Sequence, residues 1–148
     1  MRILVLAGVL TALALPGAAA GQERFLEEIQ ADYDVSVRCA GVYGAAATGK
    51  SMELFEHHPD VATYRGHEMQ FVRYSQRFGP QLRIPDPVTE EAISDVRGEA
   101  FRPAREALFA QDINGFNAGL QALYALVPAC EEQRVRLSRA FGIPAPLD

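Results

Sequence analysis

Residues 113–141, INGFNAGLQALYALVPACEEQRVRLSRAF, decide the fold class, because apolar side chains recur in this stretch at every third or fourth position. That spacing places them on one face of an α-helix and predicts a long amphipathic helix. Asp112 precedes the helix, and Gly142, followed by two prolines, ends it. We expect Pro128 to bend this helix, because proline lacks the amide hydrogen that a helix interior uses.

The same periodicity appears near the start of the chain and predicts a first helix over residues 23–48. Gly49 is then expected to be the left-handed residue that ends this helix, and Ser51 to cap a short segment after it. The stripe on the first helix consists of Leu26, Ile29, Tyr33, Ser36, Ala40, Tyr43 and Ala47.

Two more helices lie between these stretches. Pro59 suits the first turn of a second helix, and Gly79-Pro80 ends it. Residues 80–87 hold three prolines and are expected to form an extended connection. A third helix begins near Pro87, and we expect a kink at Pro103, which leaves one helical carbonyl without its usual donor.

Four amphipathic helices joined by short turns, with no convincing alternating strand, predict an all-α protein, a single four-helix bundle. Cys39 lies half-way along the first helix and Cys130 half-way along the last. In an oxidising compartment an even pair of cysteines predicts a disulfide, which would join these two helices. Two free buried thiols are the alternative. Metal ligation is disfavoured, since neither cysteine has a partner at ligand spacing.

The N-terminal residues have the pattern of an export signal. Arg2 is followed by the apolar run 3–15, Pro16-Gly17 is expected to break its helix, and Ala18–Ala20 match the small-x-small pattern of a cleavage site. We therefore expect cleavage before Gly21.

The expected organisation is thus a signal peptide over residues 1–20 and one helical bundle domain over residues 21–148, soluble and periplasmic or secreted. An uncleaved anchor is the alternative, because residues 3–20 nearly reach the length of about 20 residues that a bilayer span needs. We expect no stable membrane insertion after cleavage.

The charge balance disfavours one class of partner. The chain has 14 Lys and Arg against 19 Asp and Glu, a formal charge of −5. The phosphate backbone of nucleic acids attracts basic surfaces and repels acidic ones, so a general nucleic-acid binder is not expected.

Residues 44–51, GAAATGKS, match the pattern G-x-x-x-x-G-K-[ST]. This stretch resembles the phosphate-binding loop of P-loop nucleotidases. The resemblance covers only eight residues and implies that Lys50 reaches phosphate oxygens while Ser51 holds magnesium. Such a loop requires a strand before it and an alternating βαβ sheet around it, whereas the rest of the chain predicts helices. The structural alternative is a turn between two helices.

Three histidines suggest a second chemistry. His57, His58 and His67 lie near acidic residues, a composition that would suit zinc or copper. No two of them stand at i and i+4 on one helix, and Pro59 separates His58 from His67. We therefore interpret His57 and His58 as part of a solvated turn, and expect no metal and no cofactor.

Polar side chains on otherwise apolar stripes are the third signal. If they are buried they need partners, and a Glu68–Arg134 ion pair is one solution. A ligand cavity lined by tyrosines is the alternative. The polar members of the stripes are Tyr33, Ser36, Tyr43, Tyr64, Glu68, Ser75, Tyr124 and Arg134.

The sequence presents no nucleophile–base set and no pair of catalytic carboxylates, so no catalytic residue is predicted. The leading hypothesis is an exported helical protein that binds a partner protein or a small ligand without catalysis. The alternative is a periplasmic bundle that carries a metal or cofactor, and nucleotide binding through residues 44–51 is the third hypothesis.

Overall fold

The computed structural model describes residues 16–53 and 59–142, and these form five α-helices and one short 3₁₀ helix with no strand among them. The helices form an all-α four-helix bundle, in which α4 and α5 together take the fourth position. In chain order the elements are α1 (Pro16–Glu53), α2 (Pro59–Phe78), the 3₁₀ helix (Gly79–Leu82), α3 (Asp86–Phe109), α4 (Ile113–Tyr124) and α5 (Val127–Phe141).

Helix α1 lies at the centre of the bundle and packs against each of the other four α-helices. In the stretch Ser36–Ala47 every residue except Arg38 is buried. Small side chains make this enclosure possible, because the alanines at positions 45 and 46 are fully buried and let neighbouring helices approach closely. The expected stripe is buried except for Leu26, which is 40% exposed.

The structure corrects the predicted end of the first helix. Gly49 does not end it, and Ser51 does not cap a new segment, since α1 continues through both residues to Glu53. The Ser51 hydroxyl instead donates to the carbonyl of Thr48. Gly49 is required for space: a Cβ atom there would lie 2.8 Å from the Tyr124 hydroxyl oxygen. Glycine at this position lets α4 approach α1.

The predicted last helix is present as two helices. Where the sequence predicts a bend at Pro128, the chain is interrupted at residues 125–126, and Pro128 lies in the first turn of α5. The first-turn amide has no partner inside a helix, so proline is well tolerated there. The start and the end of the pair follow prediction, since the Asp112 carboxylate accepts from the amide of Gly115 and Gly142 is left-handed, with φ 63°.

The connection between α2 and α3 is less extended than predicted. Gly79–Leu82 form a 3₁₀ helix, and Arg83 after it is left-handed, with φ 59°. The amide of Ile84 donates to the carbonyl of Gly79 over 2.9 Å and closes this turn. Helix α3 then runs without interruption through Pro103.

The buried side chains form two clusters. The larger one joins α1, α2, α3 and α5, with Tyr43, Phe71, Tyr74 and Leu137 almost completely buried. The smaller one joins α1, α3 and α4 around Leu120 and Leu123. The two clusters together give every helix a buried face, as a bundle requires.

Two N-terminal predictions fall largely outside the described residues. The apolar run 3–15 is not described, and of the expected signal only residues 16–20 are, as the first turns of α1. Gly17, expected to break a helix, lies inside α1. Within the described ranges, no helix combines the length and the apolar character that crossing a bilayer would demand.

Candidate functional site

Cys39 in α1 and Cys130 in α5 form the predicted disulfide, with a Cα–Cα distance of 5.4 Å. Both residues are buried. The bond holds the start of α5 against the middle of α1, and it also forms part of the wall of a groove on the surface of the bundle.

The groove has a volume of about 530 Å³ and lies where α1, α3 and the α4–α5 connection meet. Its wall is mainly apolar, and this volume is within the range of small-molecule sites in proteins. The interruption of the last helix creates it in part, because the two residues of the break contribute to the wall. The apolar wall consists of Val35, Cys39, Val42, Val96, Ala100, Ala125, Leu126, Ala129 and Cys130.

Three polar residues complete the lining, one each from α1, α3 and α5: Arg38, Glu99 and Gln133. Glu99 pairs with Arg102 on the same helix. The side-chain oxygen of Gln133 accepts from Nε of Arg136 over 2.8 Å, which leaves the amide NH₂ group of Gln133 as its donor.

Arg38 differs from these two residues. Within the part of the chain that the structure describes, its guanidinium forms no ion pair or hydrogen bond to another side chain. It is also the single exposed residue in the enclosed stretch of α1. The groove therefore combines an apolar wall with one cation that no acidic side chain in residues 16–53 or 59–142 neutralises.

A polar cluster lies on a different face of α5 and links it to α1 and α2. The Tyr43 hydroxyl donates to Oε2 of Glu131 over 2.9 Å, and Arg134 donates to both carboxylate oxygens of Glu131 over 2.8 and 2.5 Å. His67 lies edge-on to the Tyr43 ring, with Nδ1 3.8 Å from Oε2 of Glu131. Gln70 accepts from Arg134 at 3.5 Å.

The electrostatics of this cluster favour stable pairing. The hydrogen bonds from Arg134 hold the pKa of Glu131 below its ordinary value, against the effect of partial burial. Burial raises the pKa of the Tyr43 hydroxyl, and its hydrogen bond to Glu131 raises that pKa further. Tyr43 is therefore a protonated donor and Glu131 an ionised acceptor at neutral pH, and the two hold α1 against α5.

Several polar residues of the predicted stripes find hydrogen-bond partners inside the bundle. The hydroxyls of Tyr33 and Thr89 are 2.9 Å apart, Ser36 donates to the carbonyl of Asp32, and Ser75 donates to the carbonyl of Val72. These contacts support the expectation of structural partners for buried polar groups.

The Glu68–Arg134 pair, one of the solutions considered for these side chains, does not form. Glu68 pairs with Arg97 of α3, while Arg134 pairs with Glu131 three residues before it. Burial raises the pKa of Glu68, and the positive charges of Arg97 and Arg65 only partly oppose this effect.

Residues 44–51 lie entirely inside α1. A phosphate-binding loop presents free backbone amides, whereas amides in a helix interior donate to carbonyls one turn earlier. Lys50 instead pairs with Glu53 at 2.9 Å and lies 4.3 Å from the centre of the Tyr124 ring. The Tyr124 hydroxyl donates to the same Glu53 carboxylate. The motif thus forms a contact between α1 and α4.

Only one of the three histidines, His67, lies among the described residues. His57 and His58 lie outside the described ranges, and His67 contacts Tyr43 and Glu131. In residues 16–53 and 59–142, no three side chains of the metal-ligating types come close enough to hold an ion.

The fold and the groove define a class, a disulfide-linked helical bundle with an apolar surface groove. Comparison with protein-family models, with curated proteins and with solved structures gives no match for this chain. Sequence reasoning missed Arg38 and Gln133, although one signal was available: Arg38 interrupts the apolar run of α1 directly before Cys39.

Proposed function

We propose that this chain is an exported, non-catalytic binding protein, periplasmic or secreted, that holds a small apolar ligand in the groove beside the disulfide. The observation that carries the proposal is the groove itself, a mainly apolar depression of about 530 Å³. Small-molecule sites are typically concave, mostly apolar and equipped with a few polar groups, and this groove has all three properties.

Two features support export. Residues 1–20 have the charge, apolar run and small residues of a signal peptide. The disulfide agrees with an oxidising compartment, because such bonds are uncommon where thiols are kept reduced.

The polar cluster around Glu131 supports a non-catalytic role. Glu131 accepts from Tyr43 of α1 and from Arg134 of its own helix, so its carboxylate oxygens are occupied by structural contacts. The proposed site therefore depends on shape and apolar contact.

The test uses the neutral fluorescent probe N-phenyl-1-naphthylamine, whose emission rises in an apolar environment. We expect saturable binding to the wild-type protein and its loss in Ala129→Trp, because the exposed Ala129 lines the groove and an indole there obstructs it. Ala62→Trp is the matched control, since Ala62 is exposed on α2 away from the groove. Equal binding by both variants, or none by the wild type, would contradict the proposal.

A further inference from the structure

The lining of the groove is asymmetric. Its wall is apolar, while its polar residues are few and belong to different helices. A bound molecule meets the charges of these polar residues. Because a residue already paired within the protein offers less charge to a ligand, the pairing of each one decides which ligands fit.

The one acidic lining residue, Glu99, is neutralised by Arg102 in the next turn of α3. Gln133 accepts from Arg136, so its amide presents hydrogen-bond donors. Arg38 presents five further donors and a full positive charge. It makes no ion pair among the described residues.

Arg38 places its positive charge directly beside the apolar wall. The flanking residues Val37 and Cys39 are buried, and the apolar Val35 and Val42 lie one turn away on the groove side of α1. Arginine is the residue type best suited to bind a planar carboxylate, because its guanidinium forms two parallel hydrogen bonds to the two oxygens. An apolar wall with such a group at its edge matches a molecule that has an apolar chain and one anionic end.

We propose that the ligand of this groove is a free amphiphile with an alkyl chain and a single carboxylate, the chain lying on the apolar wall and the carboxylate paired with Arg38 and the Gln133 amide. This inference rests on the proposed function and specifies its ligand class. It assigns a specificity role to Arg38.

The test compares three probes that share a ten-carbon chain and differ in the head group: decanoate, decanol and decyltrimethylammonium. Their affinities are measured by displacement of N-phenyl-1-naphthylamine at neutral pH and at low and high salt. We expect decanoate to bind about fivefold more tightly than decanol, the size of a favourable exposed ion pair. The preference should shrink at high salt, which screens exposed charges. Decyltrimethylammonium should bind most weakly.

The variants separate charge from apolar contact. In Arg38→Gln we expect decanoate to fall to the affinity of decanol while decanol is unchanged. In Arg38→Glu we expect the preference to reverse toward decyltrimethylammonium. Arg73→Gln is the matched control, because Arg73 is exposed on α2 and lies outside the groove. It should retain the wild-type preference. Circular dichroism checks that each variant is folded.

The outcomes distinguish the two proposals. Equal affinity of the wild type for decanoate and decanol, or a preference that survives Arg38→Gln, would overturn the ligand class and leave apolar binding intact. Absence of binding by all three probes would overturn both. Binding to anionic phospholipid vesicles without binding to decanoate, or a dimer that Ala129→Trp dissociates, would also overturn the free amphiphile as occupant.

Discussion

Gly119 of α4 lies directly against the backbone of Ala104 in α3, where an added Cβ atom would stand 2.5 Å from the Ala104 nitrogen and 2.7 Å from its Cα atom. The obstacle is main chain, which cannot rotate away as a side chain can. Ala104 follows Pro103, so this close approach lies beside the proline in α3. The α3–α4 contact therefore depends on the absence of one side chain.

Gly119→Ala is expected to lower the free energy of unfolding by about 3 kcal/mol or more, because overpacking against backbone forces the helices apart. Gly98→Ala is the matched control. Its Cβ atom would meet nothing within 4 Å, and replacing glycine inside a helix should stabilise the protein by about 0.5–1 kcal/mol. Urea denaturation followed by circular dichroism measures both values. Similar effects of the two substitutions would show that the close approach does not limit packing.

The disulfide is expected to support stability. It joins positions 91 residues apart, and in the chain-entropy model a loop of this length contributes up to about 4–5 kcal/mol. The double variant Cys39→Ala, Cys130→Ala should melt several degrees lower than the wild type and keep its helical content at low temperature. Reductant should lower the melting temperature of the wild type but leave that of the double variant unchanged. Two free thiols in the unfolded, unreduced wild type would contradict the bond.

Glu131 should make stability depend on pH in the acidic range. Its pKa in the folded protein is below the value in the unfolded chain, so its contribution is complete above about pH 4.3 and is lost as the pH falls through the lowered pKa. Glu131→Gln should therefore lower the free energy of unfolding at pH 7 by about 1 kcal/mol, a value reduced for solvent screening. The difference from wild type should disappear in strong acid.

Glu68→Gln is the control for that experiment, because it also converts a paired carboxylate into an amide. Burial raises the pKa of Glu68, so its ionised form opposes folding as the pH rises. Glu68→Gln should leave the melting temperature at pH 7 unchanged or higher. Thermal melts across the acidic range compare the two variants, and an equal loss of stability in both at pH 7 would contradict the assignment.

We expect neither the wild-type protein nor Lys50→Ala to bind nucleotide. Residues 44–51 are helical, so their backbone amides form hydrogen bonds within α1. Titration with ATP and magnesium, followed by calorimetry, measures this. The substitution should cause a small loss of stability, since Lys50 contacts Glu53 and the Tyr124 ring. Saturable micromolar binding that Lys50→Ala removes would restore the phosphate-site hypothesis.

The proposed export gives a direct expectation for the mature chain. Intact-mass analysis should find Gly21 as its first residue, with the protein in the periplasmic or culture fraction. A mass that includes residues 1–20, found in the membrane fraction, would support the uncleaved anchor instead.

The sequence predicted those features that depend on local periodicity. The helix from Pro59 to Phe78 was predictable because a proline marks its start and a glycine follows its end. The end of α1 was not predictable, because a glycine that ends a helix cannot be distinguished in sequence from one that allows a neighbouring helix to pack closely. Gly49 serves the second purpose, which depends on Tyr124, 75 positions later.

The groove was beyond sequence reasoning for a similar reason. Its wall comes from three parts of the chain, and one part is the interruption at residues 125–126, where Pro128 predicts a bend but not that the two break residues line a groove. The disulfide was predictable because an even pair of cysteines in an oxidising compartment favours a bond. The role of Arg38 in the groove was not predictable, since it depends on which acidic groups α3 and α5 bring near its guanidinium.

The central position of α1 affects how the chain reaches its folded state. The stretch Ser36–Ala47 precedes every helix that encloses it, and Cys39 is bonded to a residue in the last helix. An emerging chain therefore has its central helix ready before the helices that cover it exist. We expect folding to wait until almost the whole sequence is available, which under the proposed export keeps the chain in the extended form that threading through a membrane pore requires.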